Sequence, residues 1–288
     1  MQQLINPCDL DHTEDRAEDT TEAQAEGRTG GQVQDRADGP GSLAALAATY
    51  AYPAAVGHGR PWLRANMVSG LDGAARLEGL SEGLSSEADK RIFGVLRALA
   101  DVVLVGAETV RAEGYRPGRA RKEFAAARAA AGQAPAPVIA VVTRSLDLDL
   151  TAPLFTEPLV PTVVIAPVDA PIERLAEVRA VAEVITAGSG SVDLAVATAA
   201  LAARGWTRQL TEGGPRLLAQ LAAAGLLDEL CLSLAPLLTG GDAPRILHGA
   251  QMPDVRRMRL VSLIEEKGFL FTRYLRYPRP DDSAPSSG

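Results

Sequence analysis

The sequence predicts an α/β fold, a mostly parallel central sheet flanked by helices and closed by a C-terminal antiparallel hairpin. Three observations carry that expectation. Short continuous apolar runs recur at 101–105 (DVVLV), 138–142 (VIAVV) and 162–166 (TVVIA), the pattern of strands buried on both faces. Helical stretches lie between strand signals, and strands joined through crossover helices run parallel. The chain then ends in two strand-like runs, 258–264 and 269–277, separated only by Glu265-Glu266-Lys267-Gly268. That is a hairpin signal.

Element by element, residues 62–68 alternate well enough for a first strand. Ser85 or Ser86 caps a helix, with Asp89 completing a capping-box-like pattern and Ile92, Phe93, Leu96 and Leu99 forming its apolar stripe. After the run at 101–105, the Ala- and Arg-rich stretch 116–136 reads as an excursion containing a short surface helix. A weaker strand is expected at 183–186. A helix follows at 193–204, ended by Gly205 as its C-cap. Then come a strand at 206–211, a helix at 215–224 and a strand at 228–235. One domain is expected over residues 42–277.

The chain of 288 residues is 47% hydrophobic and 23% charged, enough for one large core or two small ones. No apolar run reaches the roughly 18 residues that a transmembrane helix needs. The first residues lack the basic and apolar parts of a signal peptide, and two cysteines, Cys8 and Cys231, make no disulfide framework. A reducing cytoplasm is the expected compartment. Three histidines (His12, His58 and His248) leave little material for a zinc site. The charge is uneven. Residues 1–41 hold ten carboxylates against Arg16, Arg28 and Arg36, which accounts for the whole net charge of −7. Such a segment reads as a disordered acidic tail, as does 278–288 at the other end. The neutral body lacks the basic excess of a nucleic-acid binder.

Candidate chemistry lies in the loops that follow strands. Gly213-Gly214-Pro215-Arg216-Leu217, preceded by Glu212, lets backbone approach a ligand closely and opens a helix whose free amides suit a pyrophosphate. Glu212 falls at a strand's carboxyl end, where open α/β sheets place ligands. The alternative for the glycines is a plain tight turn. Asp72 lies between glycines after the first strand, either aimed at a ligand or part of an Asp-Gly turn. Gly106 opens a second helix, and residues 111–122 carry five basic groups and one acid, a positive patch that could hold a phosphorylated ligand or, for those past Pro117 above all, is a solvated charge run. Thr143-Arg144-Ser145 leaves another strand, where an arginine between hydroxyls suits the 2′-phosphate of NADP or is an ordinary loop exit. Gly188-Ser189-Gly190 lacks the third glycine of a dinucleotide fingerprint. A phosphate-binding P-loop, a nucleophile elbow and the zinc-deaminase signature are all absent from the sequence.

Taken in order, these segments resemble the reductase domain of the bacterial bifunctional riboflavin-biosynthesis deaminase-reductase, a member of the dihydrofolate-reductase-like fold. The likeness runs from about Arg60 to Leu275. It is most specific at 101–110 and at 211–236, which includes Gly225-Leu226-Leu227-Asp228-Glu229-Leu230. The resemblance implies a single domain of that fold that reduces a phosphoribosylamino-pyrimidine of the 5-amino-6-(5-phosphoribosylamino)uracil type. NADPH would deliver hydride to ribose C1′, and the protein would be a homodimer. By the same resemblance Ser69, Thr109, Glu113 and Gly213–Leu217 are cofactor contacts, with Arg144 near the adenosine end. Ser81, Arg97 and Glu212 are substrate positions, and Arg97 or Arg116 meets the phosphate. Asp72 is offered as a proton donor.

The sequence departs from the family at three places. Gly70 precedes Leu71-Asp72-Gly73 where a serine is frequent, Gly83 matches a frequent tryptophan, and Glu113-Gly114-Tyr115-Arg116-Pro117 replaces an Asp-Asp-Pro segment. Two other functions stay open, the first because the fold is shared and the last change falls at the expected phosphate site, the second from another class and recruited through the acidic tail. One is an NADPH-dependent pterin or folate reductase, and the other is a nucleotide-binding protein without turnover.

Overall fold

The computed structural model describes residues 1–5, 39–54, 56 and 60–277. In its first half the elements are β1 (Gln2–Ile5), α1 (Leu43–Thr49), β2 (Trp62–Ser69), α2 (Glu87–Leu99), β3 (Val102–Gly106), α3 (Ala107–Ala112), α4 (Lys122–Ala130) and β4 (Val138–Val142). Then follow α5 (Pro153–Thr156), β5 (Val163–Ala166), α6 (Ile172–Arg179), β6 (Glu183–Thr186), α7 (Leu194–Ala202) and β7 (Arg208–Thr211). The chain closes with α8 (Pro215–Ala223), β8 (Glu229–Leu234), β9 (Met258–Glu266) and β10 (Phe269–Arg276).

The strands form one sheet in the order β1-β9-β10-β8-β2-β7-β3-β4-β5-β6. From β8 to β6 every neighbouring pair is parallel, whereas β10, β9 and β1 add on antiparallel. This is the α/β architecture with a closing hairpin that the periodicity predicts. The continuous apolar runs have their expected cause. Val103 and Val105 pack into the core on one face of the sheet with Ile92, Leu96 and Phe271, while Val102 and Leu104 join Leu201, Leu217 and Leu221 on the other. Lys267 (φ 53°) and Gly268 (φ 81°) make the two-residue turn between β9 and β10, the positive φ values that a tight hairpin requires.

Three local readings change. The expected tail at 1–41 starts too early, because Gln2–Ile5 pairs with β9 as an edge strand. Four residues are too short to stand out against the acidic run that follows them. The rest of the tail expectation, with Cys8, His12, His58 and 278–288, lies outside the described residues. The helix in the Ala- and Arg-rich excursion is not purely superficial. Its Arg128 is buried and donates to the carbonyls of Ala98, in the last turn of α2, and Ala100, at its C-cap, each at 2.8 Å. At the start of α2, Ser86 Oγ accepts from the Asp89 amide at 3.1 Å. The Asp89 carboxylate does not complete a capping box. It accepts instead from Ser85 Oγ and Ser233 Oγ, each at 2.5 Å.

Candidate functional site

The parallel half of the sheet brings three loops together. In sheet order β7 stands between β2 and β3, so the segments leaving their carboxyl ends are neighbours although they are far apart in sequence. The Gly106 amide donates to the Gly213 carbonyl at 2.8 Å, and the Glu212 amide to Leu104 at 3.1 Å, which locks two of these loops. Gly213 has φ 77° and its peptide bond to Gly214 is cis. Neither glycine can be replaced without displacement. A Cβ on Gly213 would meet Met67 Sδ at 3.2 Å, and one on Gly214 would meet Thr109 Oγ1 at 2.5 Å.

Thr109, in the first turn of α3, is only 9% exposed, and its hydroxyl has no hydrogen-bond partner. A buried hydroxyl without a partner is costly, so such an atom at a cleft wall marks a place for a ligand. Two clefts meet there. One, of about 320 Å³, is walled by Asn66, Ser81, Asp89, Lys90, Glu113 and Glu212 among others. The second, of about 250 Å³, runs over Gly106, Glu108, Arg216 and Leu217. Thr109, Gly214, Pro215 and Arg76 belong to both walls. A larger cavity of about 980 Å³ lies elsewhere, among Leu230, Met258 and Tyr277. None of the loops leaving β2, β3 or β7 contributes to its wall.

Glu212 is the most constrained group at the first cleft. Arg97, reaching across from α2, donates Nε to Oε1 and Nη2 to Oε2, both at 2.7 Å. Tyr115 donates its hydroxyl to Oε2. The guanidinium is also packed between rings, with Cζ 4.4 Å from the Phe93 centroid and 5.0 Å from that of Tyr115. Burial alone would lower the pKa of Arg97, but Glu212 and Tyr115 together raise it above its ordinary value. Burial, then the Glu212 charge, pushes the Tyr115 phenol well up, so it remains a donor. A carboxylate has about four acceptor positions, and these three bonds leave capacity toward the cleft.

The sequence from residue 61 to 266 matches the RibD C-terminal domain. The chain belongs to the RibD C-terminal domain family. It is 32% identical over 215 residues to the 2,5-diamino-6-ribosylamino-4(3H)-pyrimidinone 5′-phosphate reductase of Archaeoglobus fulgidus, covering 74% of this chain and 97% of that protein. The reductase of the same name from Methanothermobacter thermautotrophicus is 34% identical over 207 residues, covering 70% and 91%. Among solved structures, a pyrimidine reductase-like protein from Corynebacterium diphtheriae superposes with a TM-score of 0.73 at 27% identity, covering 81% of this chain and 99% of that one. The riboflavin biosynthesis reductase Rib7 of Saccharomyces cerevisiae shares the fold, with a TM-score of 0.56 at 15% identity over 76% of this chain and 91% of that one.

Within this RibD C-terminal domain, Ser81, Thr109, Glu113, Glu212, Gly214 and Pro215 line the first cleft, and Arg216 and Leu217 line the second. Glu113 accepts from the Ser81 amide at 3.0 Å, tying two of them directly. Several other assignments change. Asp72 is exposed and lines neither cleft. Its carboxylate accepts from the Thr239 and Gly240 amides at 2.7 Å, the Thr239 hydroxyl at 3.1 Å and the Ala74 amide at 3.3 Å. The bonds from Gly240 and Thr239 lower its pKa to about 2, so it has no proton to donate near neutrality. It is a loop clasp rather than an acid.

Ser69 is buried, donates its hydroxyl to the Gly70 carbonyl at 2.8 Å and lines neither cleft. Arg97 is held by Glu212, and Arg116 is exposed; neither lines the first or the second cleft. Thr143 Oγ1 is used by the Leu146 amide at 3.0 Å, while Arg144 and Ser145 are exposed at the end of β4. Asn66, Arg76, Asp89 and Lys90 line the cleft without having been singled out as site residues. Asp89 carries a helix-start signal that hides its second role, and Arg76 and Lys90 have no local motif at all. Among the described residues no cluster could hold a metal ion.

Proposed function

We propose that this protein is an NADPH-dependent reductase of a phosphoribosylamino-pyrimidine in riboflavin biosynthesis. The observation that carries the reading is the buried, unpartnered Thr109 hydroxyl at the junction of two clefts on the carboxyl ends of parallel strands. A nicotinamide dinucleotide fits the residues present. It offers that hydroxyl a polar partner, and it needs the backbone approach that glycine at 214 leaves open. Thr109 and Gly213–Leu217 would hold it, with Arg144 and Ser145 toward the adenosine end and Glu113 toward the substrate. When bound, the cofactor supplies hydride to C1′ of the opened sugar.

The protein's own residues bind and align. Glu212, fixed by Arg97 and Tyr115, accepts hydrogen bonds from the pyrimidine. Asp89 and Glu113 add further acceptors on the cleft wall. A wall so rich in carboxylates suits a ring bearing several amino groups. Within the substrate class we therefore favour the 2,5-diamino-pyrimidinone, which the archaeal relatives are named for, over the deaminated uracil. Lys90 is 52% exposed at the cleft and supplies positive charge for the ribose phosphate in place of Arg97 or Arg116. Alignment of this kind is worth roughly 7–11 kcal/mol of barrier, so no strongly activated side chain is needed. The reading includes a cytoplasmic homodimer.

Steady-state oxidation of NADPH tests the proposal with the diamino-pyrimidinone phosphate, its uracil counterpart and dihydrofolate as substrates. Turnover is expected with both phosphoribosylamino-pyrimidines and faster with the first. Turnover with dihydrofolate alone would move the protein to the pterin reductases. Cofactor binding without consumption of any substrate would leave a nucleotide-binding protein.

A further inference from the structure

Arg76 matches none of the positions that the family resemblance marks, yet it lines both clefts. It follows the Asp72-Gly73 turn, is 21% exposed, and places Nη2 3.6 Å from where a Cβ on Gly214 would lie. Its Nη1 is 3.7 Å from Glu108 Oε1. From the first turn of α8, Arg216 brings its own Nη1 to 3.4 Å from Glu108 Oε2. One carboxylate thus stands between two guanidiniums that come from separate elements. Both separations exceed the about 2.7–2.9 Å of a well-formed charge-assisted bond, so neither fork is satisfied. The trio carries a net positive charge beside the unpartnered Thr109 hydroxyl.

We infer that Arg76 and Arg216 form a two-sided clamp for the diphosphate of the dinucleotide, with Glu108 as the counter-ion that the diphosphate displaces. The inference rests on the cofactor reading above, which already includes Arg216, and extends it to Arg76, to Glu108 and to the part each plays. A diphosphate offers each guanidinium its own pair of oxygens, whereas the one carboxylate gives each a single oxygen, at 3.7 and 3.4 Å. The two arginines differ in one respect. Arg216 faces only the second cleft, whereas Arg76 also faces the substrate cleft. Arg76 therefore links the two binding events, and losing it weakens both cofactor affinity and the mutual enhancement of cofactor and substrate binding.

Calorimetric titration of the full chain with NADPH tests this, in the presence and absence of the pyrimidine substrate. Arg76→Gln is expected to weaken binding roughly tenfold or more, the order for losing a hydrogen bond to a charged group. Arg76→Lys, which keeps the charge but not the fork, should fall between it and the parent. Arg216→Gln should weaken binding yet preserve the substrate effect. Glu108→Gln, at a side chain 51% exposed, should tighten binding by a few-fold because the competing anion is gone. Parental affinity in Arg76→Gln, or weaker binding in Glu108→Gln, overturns the clamp while leaving the cofactor assignment intact. Failure of the parent chain itself to bind NADPH overturns both.

Discussion

Two arginine–carboxylate clusters sit on the same sheet with opposite surroundings. At the amino end of β8, Glu229 lies opposite Arg64 of β2 in the parallel ladder, and both side chains are fully buried. Arg64 Nη2 donates to Glu229 Oε2 at 3.0 Å, Arg273 Nε to Oε1 at 2.7 Å, and Trp62 Nε1 to Oε2 at 2.9 Å. Arg273 also reaches the Thr49 carbonyl at 2.6 Å, binding the end of α1 to the sheet. At the carboxyl end of β7, Glu212 and Arg97 make a similar two-pronged contact. There Arg97 keeps 21% of its side chain exposed and Glu212 forms part of a cleft wall. The same chemistry is a sealed structural knot at one end of the strands and a presented acceptor at the other. What separates them is the end of the parallel strand on which each falls, because loops and helix starts open the carboxyl end to ligands.

The sharpest way to break the comparison is Glu229→Ala. It strands two buried guanidiniums, and removing one partner of a buried ion pair costs about 3–5 kcal/mol. Chemical denaturation should show that loss, with activity falling only as the folded fraction falls. The pH dependence has the matching sign. Burial alone would raise the pKa of Glu229, but Arg64 and Arg273 outweigh it and hold it below its ordinary 4.5. The stability it contributes is therefore complete above that value and is lost as acid brings the pH through the lower folded value. Melting curves from neutrality downward should decline in that window for the parent and more weakly for a folded Glu229→Gln variant.

Arg97→Lys should have the reverse profile. Losing the planar fork lets Glu212 shift, and a displacement of about 1 Å at a reacting site costs on the order of 10²-fold in rate. We expect that loss in kcat/KM with a melting temperature close to the parent's. A large drop in stability without a kinetic change would make the Glu212 cluster a second structural knot.

The smallest effect belongs to Asp72→Asn, since the carboxylate lines neither cleft. Turnover should stay within a few-fold and the pH–rate profile should keep its shape. Amide exchange at Thr239 and Gly240 should quicken as the clasp weakens. Loss of turnover with an altered acidic limb would restore Asp72 to the chemistry.

The parallel half of the fold is legible because each buried strand must be apolar on both faces, as Val102 to Val105 are. The short edge strand β1 is not, since Gln2-Gln3-Leu4-Ile5 buries little and adjoins a long acidic segment. The glycine turn at 213–214 and the helix start at Thr109 announce themselves locally. Arg97 and Glu212 are each visible, but their pairing spans 115 positions and is made only by the fold, which sets α2 against β7. Asp72 misleads for a similar reason. Its strongest partners, Thr239 and Gly240, lie some 167 positions on, and only the weaker bond from the Ala74 amide is local.

The central place of β7 also sets the order in which the molecule can be assembled. On a ribosome β2 and β3 emerge long before residues 208–211, and neither can pair with the other because a third strand must lie between them. The nascent chain therefore carries a sheet with its middle rung missing until most of the polypeptide has been made. That rung leads directly into Glu212 and the glycine turn, so the strand that fills the gap between β2 and β3 also brings in the cleft wall, while β8, β9 and β10 are still to be made.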